Sequence, residues 1–187
     1  MSEIKRIGII LLKTALIANA SHDNLFFVSS LANEKSLKIF EELRKKYSPN
    51  LSVQIYLDEA HRVIESADII ILASGTASLE AMLLKKPMIV TYKLSWPTYF
   101  IVKLLAKIPY AALPNILAGE SIVPECLQSK CRADVLASEL DKLLNSEKNI
   151  KKITGHFTKI SNELRKKANY QAANAILKLV KTDAVNE

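Results

Sequence analysis

A parallel α/β sheet with helices on both faces is the fold class that this sequence predicts, and three observations predict it. Short apolar runs alternate with helical segments through the first half of the chain, as βαβ units require. The segment Ala67–Tyr92 reads as strand, small-residue turn, helix and strand in direct succession. Gly and Pro are few, 4 and 6 of 187 residues, which argues against disorder and against an all-β fold with many turns.

Ser2 to Ala20 reads as a helix, with Ile4, Ile7, Leu11, Ala15 and Ala18 at helical spacing and Ser2 as N-cap. Leu25–Ser30 is a buried strand. Glu34–Tyr47 is an amphipathic helix that turns Leu37, Phe40 and Leu43 inward. Its Lys45-Lys46 lie where the helix dipole favours cations. Leu51–Tyr56 is a second strand, and Asp58–Ser66 a short helix with Asp58 as N-cap. Ile69–Leu72 and Met88–Val90 are the third and fourth strands, and a short fifth is expected at Tyr110–Leu113. Trp96–Leu105 is aromatic and apolar. Pro109, Pro114 and Pro124 then break the chain into short pieces, and Leu113–Glu120 has turn chemistry without a strong period. From Arg132 to about Val180 the chain is helical. Val135, Leu136, Leu140, Leu143 and Leu144 form one stripe, and Ile150–Val180 is a second, lysine-rich segment. The helix-first order is unusual, because a doubly wound domain normally opens with a strand.

Composition narrows the function classes. The chain is long enough for one domain with a sizeable core. Its net charge of +7 favours anionic partners, or belongs to a lysine-rich solvated surface. Aromatics are few and no basic recognition helix stands out, so nucleic acid is not expected as a partner. Cys126 and Cys131 have no His or second Cys pair beside them. A metal site is therefore not expected, and a reduced, cytoplasmic compartment is. No signal peptide is visible, and no stretch reaches the ~20 apolar residues that cross a bilayer.

The chemistry concentrates in Ser74-Gly75-Thr76-Ala77-Ser78-Leu79-Glu80. A small-residue turn between strand and helix leaves backbone N–H groups bare at a helix N-terminus, where the dipole favours phosphate. Ser74 and Thr76 add hydroxyl donors, and Glu80, one turn in, could accept from a sugar diol. The same residues also fit a tight turn in which Thr76 caps the helix and Glu80 is solvated. Asn115, in the loop 114–119, could close over the same ligand at the carboxyl end of the sheet, or belong to an ordinary proline-shaped turn. Trp96 to Lys107 reads as an interfacial helix with lysines toward anionic headgroups, or as a core helix. His22, His61 and His156 have no partner at a suggestive spacing and are read as surface or structural residues.

Several motifs together resemble one family. Ala73–Ala81 (ASGTASLEA), Lys86-Pro87-Met88, Tyr92-Lys93-Leu94-Ser95, Leu113–Gly119 (LPNILAG) and Val123-Pro124-Glu125 look like the C-terminal half of lipid A disaccharide synthase, in the family's order and spacing. The likeness covers roughly Ser2 to Asn145, and the terminal helices more loosely. It implies a GT-B fold, of which this chain is the C-terminal, Rossmann-like domain. It also implies an inverting glycosyltransferase of lipid A biosynthesis in Gram-negative bacteria. The donor would be a UDP-activated 2,3-diacylglucosamine and the acceptor 2,3-diacylglucosamine 1-phosphate, with no cofactor or metal. On this likeness Ser74, Gly75 and Thr76 line the diphosphate, Glu80 meets the ribose, and Asn115 forms the neighbouring wall. The enzyme would work peripherally on the cytoplasmic face of the inner membrane.

The sequence departs from the family in lacking the N-terminal, acceptor-binding half, and with it the family's candidate general base. The first strand of the Rossmann-like domain and its glycine-serine-arginine loop are missing too, which accounts for the helix-first order. Residues 1–145 are thus expected to form a nucleotide-sugar-binding domain truncated at its start. Residues 146–187 are expected to be helices packing on it or crossing from it. No catalytic residue is expected on this chain. It would be inactive alone, with the N-terminal half of the enzyme as its partner if that half is encoded separately. The alternatives are a non-catalytic UDP-sugar-binding subunit paired with such a chain, or a degenerate fragment.

Overall fold

The computed structural model describes residues 3–73, 75–93 and 109–183, with side chains within those stretches from 4 to 165 and at 174. Ser2 as N-cap, Ser74 in the turn and the Trp96–Lys107 segment lie outside the described residues. The fold is α/β, as expected. In chain order it runs α1 (Glu3–Ser21), β1 (Phe27–Leu31), α2 (Glu34–Tyr47), β2 (Val53–Leu57), α3 (Ala60–Ser66), β3 (Ile70–Ala73), α4 (Thr76–Leu83) and β4 (Met88–Tyr92). It continues with α5 (Leu113–Ala118), β5 (Glu125–Leu127), a 3-10 turn (Gln128–Lys130), α6 (Ala133–Leu144) and α7 (Glu147–Asp183).

All described strand pairs are parallel, but they form two sheets. One pairs β1 with β2, Phe27 opposite Val53. The other is β3-β4-β5, with Ile70 opposite Met88 and Val90 opposite Glu125. No hydrogen bond joins β1 to β3 among the described residues. Between them lies an apolar slot of about 1030 Å³, walled by both strands, α1, α3 and α6.

Burial follows from this arrangement. Met88, Ile89 and Val90 of the central β4 are fully buried, while β1 and β3, which flank the slot, are half-exposed along most of their length. The main core joins β4 to α4, α6 and α7 through Met82, Leu136, Leu140, Ile153, Phe157 and Ile160. A smaller core of Leu12, Leu31, Phe40 and Leu51 holds α1 and α2 against the two-stranded sheet. The α2 helix begins as its sequence dictates: Asn33 accepts from the Ser36 N–H at 3.0 Å, and Arg44, Lys45 and Lys46 occupy its last turn.

Three local expectations are corrected. Asp58 does not cap α3; it sits at φ 54° and its N–H donates to the Leu31 carbonyl at 2.8 Å, so Glu59 takes the cap position. The fifth strand is Glu125–Leu127, not Tyr110–Leu113. Leu113–Ala118 is a helix with Pro114 in its first turn and Gly119 closing it at φ 72°. Proline at the start and glycine past the end are the ordinary marks of a helix, and its shortness hid its period.

Candidate functional site

The turn after β3 is the center of the candidate site. Gly75 has φ 146° and ψ −161°, a region essentially closed to residues with a Cβ. No heavy atom lies within 4 Å of where a Cβ would stand, so glycine answers the backbone angle and leaves open space above it. Gly75 occupies the N-cap of α4 without a side-chain cap. Thr76 therefore does not receive the chain from the capping position; it is the first helical residue, and like Gly75 it is exposed. The Gly75 carbonyl is held from below by the Ser78 N–H at 3.1 Å and the Ser78 hydroxyl at 2.7 Å. Ser78 is fully buried, which fixes the turn from inside and leaves the first turn of α4 facing outward at the carboxyl end of the sheet. That is the position in which a helix N-terminus holds an anion.

Glu80 stands one turn into α4. Its Oε1 lies 2.7 Å from Nδ1 of His61 on α3, and its side chain stays 38 % exposed. One carboxylate oxygen is thus oriented by the imidazole, while the side chain keeps a solvent-facing side. His61 was read from sequence as a surface or structural residue without a partner. The nineteen-residue separation carries no local signal, and only the packing of α3 beside α4 brings the pair together.

Asn115 is placed differently from the expectation that it faces a ligand. It is fully buried. Its Nδ2 donates to the Val123 carbonyl at 3.0 Å and to Glu125 Oε1 at 2.8 Å. Its Oδ1 accepts from the Ile122 and Val123 N–H groups at 2.8 and 2.9 Å. Glu125 also receives the Ala112 N–H at 2.9 Å and the Ala111 N–H at 3.0 Å. The amide therefore has no hydrogen-bonding capacity left for a ligand, and it shapes the wall by tying α5 to β5.

Cys126 and Cys131 are free and buried. Thr91 donates to the Cys126 carbonyl at 2.9 Å and its hydroxyl lies 3.1 Å from the Cys131 sulfur. Burial pushes the Cys126 thiol up to about 11, so it is an inert core group. Among the described residues no helix is long and apolar enough to cross a membrane.

Comparison with known proteins agrees with the motifs in this geometry. A lipid-A-disaccharide synthase of Vibrio parahaemolyticus is 40% identical over 179 residues. One of Haemophilus influenzae is 39% identical over 183 residues, and one of Vibrio cholerae 41% over 179. Each alignment takes in 96% of this chain and 47% of the relative, so the chain spans about half the length of the curated relatives it matches. The sequence model of the lipid-A-disaccharide synthetase family matches residues 1–179, and the chain belongs to that family.

Proposed function

We propose that this chain is the UDP-sugar-binding half of a lipid A disaccharide synthase. The whole enzyme would move 2,3-diacylglucosamine from its UDP donor to 2,3-diacylglucosamine 1-phosphate, with inversion, giving a β-1,6-linked disaccharide phosphate and UDP. The observation that carries this reading is the open Gly75 turn at the head of α4, with a half-exposed carboxylate at Glu80 one turn away. The turn's N–H groups and the Ser74 and Thr76 hydroxyls would hold the diphosphate and stabilise the leaving UDP as negative charge develops on it. The free oxygen of Glu80 would accept from the ribose. Asn115 would act through the wall it braces.

The acceptor site and general base belong, in this proposal, to the part of the enzyme that residues 1–187 do not span. The assembled enzyme would lie on the cytoplasmic face of the inner membrane, where its acylated substrates are. Residues 1–145 would carry the nucleotide site, and α7 would serve as its support. The test is a transfer assay with both acylated sugars. No disaccharide is expected from this chain alone, and turnover is expected when the missing half is added. Turnover by the isolated chain would overturn the division of labour.

A further inference from the structure

A carboxylate is a poor neighbour for a bare anion. Glu80 follows Thr76, the first residue of α4, by about one turn, ~6 Å along the axis. At that distance its charge repels a phosphate held at the head of the helix. A ligand that suits both groups needs hydroxyls beside its phosphate, because a hydroxyl donates to a carboxylate and an ionised phosphate oxygen does not. A ribonucleoside diphosphate has that layout, with a vicinal diol one sugar ring away from its 5′-phosphate.

Glu80 is also held in place before any ligand arrives. A half-exposed glutamate turns about three bonds, and fixing it for a ligand costs rotamer entropy. Here Oε1 already lies 2.7 Å from Nδ1 of His61. A carboxylate only accepts, so Nδ1 carries the proton and donates, whether the imidazole is neutral or charged. His61 stands in the first turn of α3, which Ile64 anchors by burial, and α3 packs against β1, β2 and α4. Its neighbours Glu59 and Arg62 pair with each other at 2.6 Å and so do not compete for Glu80. The His61 side chain is 63% exposed, and a pair so open to water contributes little to stability. Its effect lies in the direction it gives the carboxylate.

We propose that His61 is a positioning residue that makes the site selective for ribonucleotides: its Nδ1–H fixes the Glu80 carboxylate toward the 2′,3′-diol of a nucleoside diphosphate held at the Gly75 turn. The inference rests on the reading of that turn as a nucleotide site, and adds to it a residue and a specificity. A site arranged to accept from a hydroxyl rejects the analogue that lacks it, because the buried side of the acceptor is then left unpaired. A carboxylate free to swing away discriminates less. Loss of His61 therefore weakens the hold on the diol and leaves the anion end of the site as it was.

Titration of the full chain with UDP and with 2′,3′-dideoxy-UDP, by calorimetry, tests this. The unsubstituted chain is expected to prefer UDP at least tenfold. His61→Ala is expected to cut that preference three- to tenfold by weakening UDP alone. His61→Asn, whose amide N–H can stand where Nδ1–H stands, is expected to restore it. A merely structural role would instead weaken both ligands together and lower the unfolding midpoint, which is followed by thermal unfolding of each variant. An unchanged preference in His61→Ala, with the preference lost in Glu80→Ala, would overturn the role of His61 and leave the nucleotide site standing. Failure of His61→Asn to restore the preference would overturn it as well. Equal affinities for the two ligands in the unsubstituted chain would remove the diol contact, and His61's part in it, while keeping the anion site. No binding of UDP by the unsubstituted chain would overturn the nucleotide reading itself and this inference with it.

Discussion

At the scale of single residues, the site divides into groups that face outward and groups that hold them. Gly75 and Thr76 are exposed, whereas Ser78 and Asn115 are fully buried. The positions of Gly75 at the head of α4 and Glu80 one turn in were legible in the sequence, because a glycine at a strand–helix turn and a carboxylate one turn later are local patterns. It did not make Asn115 legible, since the same loop can turn an amide outward or inward. Four internal hydrogen bonds decide for inward. Asn115→Ala would leave the Ile122 and Val123 N–H groups without that acceptor. It is expected to destabilise the fold by about 2–3 kcal/mol in denaturant unfolding. A second residue-scale consequence concerns pH. Cys126 is raised from 9.0 to about 11, so the folded chain keeps its thiol neutral where the unfolded chain ionises. Its contribution to stability is fully present below pH 9 and lost as pH rises through 11, up to about 2.7 kcal/mol for two units. Cys126→Ala is expected to lose less stability than the unsubstituted chain between pH 8 and pH 11. Equal losses would show that the thiol is not responsible.

At the scale of elements, β1, α2, β2, β3, α4 and β4 follow from periodicity and capping, with bounds shifted by a residue or two. The misread elements are the short ones, α5 and β5, where a single turn or three residues carry no measurable period. The α3 start was misread for another reason: Asp58 is drawn into a positive φ by its hydrogen bond to β1, a tertiary contact that overrides its capping preference. α7 could be read as helical from its composition, but not how it packs. Ile153, Phe157 and Ile160 bury it in the core that also holds β4 and α6. Phe157→Ala is expected to cost about 3–5 kcal/mol, measured by thermal or denaturant unfolding. A cost below 1 kcal/mol would mean that this helix rests on the domain without supporting it.

At the scale of the whole molecule, sequence and structure meet at the slot between β1 and β3. The helix-first order and the resemblance pointed to an absent first strand. Among the described residues the strands form two parallel sheets with an apolar slot between β1 and β3. What no single sequence could supply is the pairing of His61 with Glu80 across α3 and α4, which depends on how the layers pack. The family membership and the open turn at α4 together make nucleotide binding the central claim. Calorimetric titration of UDP into this chain and into Glu80→Ala tests it most directly. The account expects saturable binding by the unsubstituted chain, weakened in the variant by about 1.5–3 kcal/mol, roughly ten- to a hundredfold, as for a lost hydrogen bond to a charged group. Equal affinities would contradict the role given to Glu80, and no binding by either would contradict a UDP site on this chain.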